Sequence, residues 1–172
     1  MNVSKLQRGY AALRLGRFSQ PGMNYFLTLC LQRPQIGLTE EPLLEAVFTE
    51  VRRLEDSADW TVRTAVVMPD HVHLLAVLGR ETSLSGTLRF FKGRLAIAFR
   101  DYGLSWQPSF YDHRLRLAEE VLPTFRYIFL NPYLAGLIHV DEKWPGYFCA
   151  EQDWEWFKDL TSEAKPFPEW LL

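Results

Sequence analysis

The chain has 172 residues, 48% hydrophobic and 15% aromatic, enough for one domain with a sizeable core, which excludes a disordered, collagenous or repeat protein. The formal net charge of −2 hides an uneven distribution. Residues 1–38 carry five bases and no acid, residues 86–116 six bases against two acids, and residues 139–172 eight acids against three lysines. Two cysteines, Cys30 and Cys149, imply neither a disulfide framework nor a CxxC metal motif. The first 20 residues lack the apolar segment of a signal peptide, and no run of about 18 apolar residues suits a membrane. A cytoplasmic protein without a membrane partner is the expectation.

Residues 1–21 read as a basic arm, with Gly9, Gly16 and Pro21 and no clean periodicity. Asn24 to Gln32 is apolar and reads as the first strand. A helix is expected from Thr39, which can cap it. Glu40 and Glu41 favour its positive end, Pro42 fits its first turn, and Leu43, Leu44, Val47, Phe48, Val51 and Leu54 keep helical spacing. Thr61 to Val67 and His71 to Leu78 read as two strands joined by a turn at Pro69-Asp70. A second helix is expected from about Ser83 to Tyr102, stopped by Gly103, with Arg89, Lys92 and Arg100 on its outer side. The second half of Ser105 to Leu117 alternates as a fourth strand. A third helix is expected from Ala118 to about Leu130, ended or kinked at Asn131-Pro132. The acidic, aromatic tail from His139 is expected to pack back on the domain.

The order strand, helix, strand, strand, helix, strand matches the split βαβ, ferredoxin-like pattern, an α+β layer fold with helices on one face of an antiparallel sheet and an extra C-terminal helix. Its histidine-bearing strand would be central. Side chains alternate along a strand, so His71 and His73 share a face. Imidazole is a common metal ligand, and on spacing alone the pair stays open between a metal site and an incidental pair. The two basic segments flanking that strand favour an anionic ligand. Tyr127 and Asn131, four residues apart, share a helix face. A tyrosine can serve as a covalent nucleophile, but it is also common on half-buried helices, and spacing alone leaves its role open.

Pro69-Asp70-His71-Val72-His73-Leu74-Leu75 resembles the histidine-hydrophobe-histidine motif of the single-tyrosine HUH transposases, and within them the REP-associated tyrosine transposases with their IS200-like domain. Gly16 to Gly22 with Tyr25-Phe26-Leu27-Thr28, then Trp106-Gln107-Pro108 with Tyr111-Asp112-His113-Arg114-Leu115-Arg116, resemble further segments of that group. So does Tyr127-Ile128-Phe129-Leu130-Asn131-Pro132 followed by Ala135-Gly136-Leu137. The likeness covers roughly residues 14–138, in the family's order.

Length and charge suggest a single domain over residues 1–172, with a basic arm (1–21) and an acidic aromatic tail (139–172) around a core (22–138) that the resemblance reads as a transposase catalytic domain. The resemblance implies a metal-dependent endonuclease and strand transferase acting on single-stranded, hairpin-bearing REP-like DNA. His71 and His73 match its metal-binding pair, for Mg²⁺ or Mn²⁺. Tyr127 matches its nucleophile, which forms a 5′-phosphotyrosine and leaves a 3′ hydroxyl. Asn131 falls where related enzymes place a third, polar ligand.

Arg17, Lys92, Arg94, Arg114 and Arg116 are candidates for DNA contact. His113 is open between a DNA contact and fixing the local turn. Trp106, Phe110 and Tyr111 are open between base stacking and core packing. Monomer and homodimer both fit the resemblance. The competing expectations are a non-catalytic single-stranded nucleic-acid-binding module on the same fold, and a metal hydrolase using water.

Overall fold

The computed structural model describes residues 19–116 and 118–172, so Arg17 and most of the basic arm lie outside the described residues. Among these residues five strands form one sheet: β1 (Asn24–Cys30), β2 (Trp60–Val67), β3 (His71–Leu78), β4 (Tyr111–Arg114) and β5 (Tyr147–Cys149). Among the described residues four α-helices accompany them: α1 (Glu41–Asp56), α2 (Leu84–Phe99), α3 (Val121–Leu134) and α4 (Glu151–Phe157). The strand order is β4-β1-β3-β2-β5, with every neighbouring pair antiparallel. The first four strands carry the ferredoxin-like arrangement, β3 is central, and β5 extends the β2 edge.

Strand alternation divides the chain into two cores. Tyr25, Leu27 and Leu29 of β1 join Val72, Leu74, Ala76 and Leu78 of β3 on one face. Val47, Val51 and Leu54 of α1 and Leu88, Phe91 and Leu95 of α2 cover that face. The opposite face buries Val66 and Leu75 beneath Phe125, Ile128 and Phe129 of α3 and Phe157 of α4. One skipped position between Val62 and Thr64 breaks the β2–β3 register at Arg63. A bulge of this kind re-aims one side chain out of the alternation. Arg63 there binds the buried Asp153 of α4 through two nitrogens, at 3.0 and 2.5 Å, and reaches Asn24 Oδ1 at 3.2 Å.

Several boundaries differ from the sequence expectations. Thr39 does not cap α1. The helix starts at Glu41 without a side-chain cap, and the Glu40 carbonyl accepts from the amides of Leu43 and Leu44. Strand β1 ends at Cys30 rather than Gln32. Ser83 does cap α2, accepting from the Gly86 amide at 3.1 Å. That helix passes into a 3₁₀ turn over Arg100–Tyr102 and stops at Gly103, whose φ is +65°.

Helix α3 begins at Val121 after a 3₁₀ turn, and it does not end at Leu130. It continues through Pro132 to Leu134. Proline removes one amide donor and crowds the carbonyl one turn back, and the burial of Pro132 and Tyr133 holds the last turn in place. The tail packs on the domain as expected, but β5 within it was not expected.

Candidate active site

The β2–β3 turn delivers the histidines. The Met68 amide donates to the His71 carbonyl at 2.8 Å, closing the hairpin so that β3 starts on His71. His71 and His73 then project from the face that α3 covers. Across β1, Cys30 lies opposite His71 and Thr28 opposite His73.

Each Nδ1 already has a partner. That of His71 donates to Asp70 Oδ1 at 2.7 Å, and that of His73 meets Thr28 Oγ1 at 2.9 Å. The two Nε2 atoms are therefore the ones left to converge, and they stand 3.0 Å apart. His73 is only 5% exposed and stacks on Phe26 with 5.3 Å between ring centroids. Burial, with the neighbouring His71, pulls its pKa down to about 3, so its imidazole is neutral at ordinary pH.

Helix α3 brings the tyrosine. Phe125, Ile128 and Phe129 point into the core, which fixes the roll of the helix and leaves Tyr127 at the rim, 47% exposed. Its hydroxyl is 3.5 Å from His73 Nε2, and its ring meets the edge of Phe26 at 5.7 Å. Asn131 sits one helical turn further on, half-buried.

Two imidazoles alone suit softer metals, and Mg²⁺ or Mn²⁺ on this pair would need oxygen ligands to complete its shell. Neutral imidazoles are what a metal requires of histidine, and partners on the second nitrogens orient them. A separation of 3.0 Å equals the edge of an octahedral shell with bonds of about 2.1 Å, also about 3.0 Å. Among the described residues no group of three or more histidine, cysteine or acidic side chains could hold a metal. A cation on this pair would draw its remaining ligands from water, phosphate oxygens or an amide such as that of Asn131.

The candidate DNA contacts separate. Lys92 and Arg94 lie on α2, which packs on the face away from the histidines. The Lys92 ammonium donates to the carbonyls of Gln107 and Ser109, and Arg94 pairs with the buried Glu50 at 3.1 Å. His113 is exposed on β4 opposite Phe26, on the histidine face. Arg114 donates to Gln20 Oε1 at 2.7 Å, and Arg116 is exposed.

Of the three aromatic candidates, Trp106 is buried against Phe99, Phe110 packs on the first core, and Tyr111 is exposed on the histidine face. Sequence reasoning missed Thr28 and Phe26 as supports of His73. Alternation along β1 puts both on one face, but only the β1–β3 register sets them against the histidine.

Comparison with known proteins follows the same lines. The model of the family described as "Transposase IS200 like" matches residues 19–119. A REP-associated tyrosine transposase of Escherichia coli strain K12 is 27% identical over 134 residues, spanning 75% of this chain and 78% of that protein. The solved structure of a REP-associated tyrosine transposase bound to a REP hairpin superposes with a TM-score of 0.66 at 23% identity, covering 76% of this chain and 79% of the other.

Proposed function

This chain belongs to the IS200-like transposase family, and on that premise we propose that it cuts and rejoins single-stranded DNA beside a REP-like hairpin through a covalent bond to Tyr127. The observation that carries the proposal is the meeting of three groups from distant elements. The Tyr127 hydroxyl is 3.5 Å from His73 Nε2, which is 3.0 Å from His71 Nε2. A water-using hydrolase has no need of that tyrosine. The similarity to a relative bound to a REP hairpin supports hairpin DNA as the partner.

His71 and His73 would hold Mg²⁺ or Mn²⁺, with Asn131, one helical turn after Tyr127, as a further oxygen ligand. A bound cation polarises the scissile phosphate and offsets charge in the transition state. Thr28 and Asp70 orient the two imidazoles. Tyr127 attacks phosphorus: a bond from its phenol oxygen to phosphorus forms and the bond from phosphorus to the 3′ oxygen breaks. The phenol proton leaves to solvent, and the departing oxygen takes one up as a 3′ hydroxyl. The 5′-phosphotyrosine keeps the energy of the cut bond, so transfer to another 3′ hydroxyl needs no ATP. His113, opposite Phe26, borders the site from β4 as a contact to the DNA, whereas Arg114 pairs with Tyr25 on the opposite face and donates to Gln20. Lys92 and Arg94 are engaged by partners within the protein.

The test incubates the protein and Mn²⁺ with a labelled DNA hairpin bearing single-stranded flanks, followed by a denaturing gel. A covalent adduct that disappears in Tyr127→Phe is expected. Binding without an adduct would favour the non-catalytic binder, and cleavage that survives Tyr127→Phe would favour the hydrolase.

A further inference from the structure

Tyr111 is a large aromatic residue left 55% exposed on a four-residue edge strand. Edge strands are commonly short and polar, and this exposed aromatic ring makes only an edge contact with Phe26. Its position is specific. Tyr111 pairs with Thr28, and Thr28 pairs with His73, so the three lie in one row across β4, β1 and β3 and on one face of the sheet. Two strand spacings, about 10 Å, separate the backbones of Tyr111 and His73.

The side chains between them form a cluster of edge-to-face aromatic contacts. Tyr111 meets Phe26 at 6.3 Å and 69°, and Tyr127 meets the same ring at 5.7 Å and 85°. Phe26 thus has an exposed tyrosine on its β4 flank and another on its β3 flank. Beneath them Phe26 stacks on His73. One of the two tyrosines carries the proposed chemistry, and the other has no such role.

We infer that the exposed ring of Tyr111, walled by Phe26, forms a nucleobase subsite on which the unpaired base next to the scissile phosphate stacks while that phosphate lies at Tyr127. The inference rests on the proposed cleavage of single-stranded DNA. Every base has a π face, so stacking on a tyrosine is tolerant of sequence and takes its strength from the ring. The phenol hydroxyl is not required. An occupied subsite fixes the nucleotide whose phosphate is attacked, which makes Tyr111 a positioning residue for the reaction. His113, exposed in the next row opposite Phe26, borders the same surface.

The test uses full-length Tyr127→Phe protein, which separates binding from cleavage, and a DNA hairpin with single-stranded flanks carrying 2-aminopurine at each flank position in turn. Stacking quenches this base. Quenching is expected at one position adjacent to the cleaved bond, lost in Tyr127→Phe/Tyr111→Leu and regained in Tyr127→Phe/Tyr111→Phe. In protein with an intact Tyr127, an abasic nucleotide at that position slows adduct formation about tenfold, and Tyr111→Leu shows no further abasic penalty. Quenching that persists in the leucine variant, or an abasic penalty that remains in it, overturns the subsite. So does the absence of quenching at every position while anisotropy reports a complex. Quenching without any adduct from the intact protein supports the subsite and contradicts the proposed cleavage alone.

Discussion

The Tyr127 hydroxyl stands 3.5 Å from Nε2 of His73, though the two belong to different layers of the fold and lie 54 positions apart in the chain. The contact exists because α3 is rolled by Phe125, Ile128 and Phe129 against the sheet face that carries His73. Anything that shifts that packing moves the tyrosine relative to the histidine pair.

Thr28 is expected to set the affinity of the proposed metal site. Its hydroxyl is the partner of His73 Nδ1 at 2.9 Å, and Thr28→Val keeps the shape while removing the hydrogen bond. Loss of such a supporting contact costs about 10–100-fold in metal affinity. Titration of the purified variant with Mn²⁺, followed by calorimetry and by adduct yield, should show the midpoint displaced by that factor. An unchanged midpoint would mean that Thr28 does not orient the ligand.

His71→Ala and His73→Ala should each abolish the covalent adduct while leaving hairpin binding largely intact, and chelation of the metal should do the same to the unaltered protein. Anisotropy with labelled hairpin reads the binding, and a denaturing gel reads the adduct. If both variants lose binding as completely as they lose cleavage, the histidines support the fold or the DNA rather than a cation.

The Arg63–Asp153 pair ties α4 to the sheet. The Asp153 carboxylate accepts from two nitrogens of Arg63 and from the Trp156 indole at 3.1 Å, and its side chain is 6% exposed. Asp153→Ala leaves the guanidinium without its carboxylate over the Phe125 ring. A loss of about 3 kcal/mol is expected, read as a lower urea midpoint with little change in slope.

Phe157 is fully buried and meets Phe125, Phe129, Trp154 and Trp156. Phe157→Ala should cost about 3–5 kcal/mol. It should also lower the rate of adduct formation more than hairpin affinity, since it loosens α3 beneath Tyr127. Single-turnover kinetics at a temperature where the variant is folded separates the two effects.

The ferredoxin-like order was legible in the sequence because each of its elements carries its own period. The alternation in β1 and β3 and the helical spacing in α1 and α2 are local signals, and the same-face placement of His71 and His73 follows from alternation alone. The relations between elements were not legible. Thr28 meets His73 through strand register, Lys92 turns inward to two carbonyls of the loop before β4, and Arg94 finds Glu50 on a neighbouring helix. The sequence shows only that these residues are polar. Strand β5 escaped notice because three residues are too few for a pattern. The passage of α3 through Pro132 was hidden because tertiary burial outweighs one missing hydrogen bond.

The most direct measurement is the identity of the residue joined to DNA. The adduct formed with Mn²⁺ and a hairpin bearing single-stranded flanks is digested with protease and nuclease, and the modified peptide is sequenced by mass spectrometry. The expected product is a single peptide with a 5′-phosphonucleotide on Tyr127. A nucleotide on Tyr111, on a histidine, or on no residue although the DNA is cut, would contradict the assignment of Tyr127 as the nucleophile.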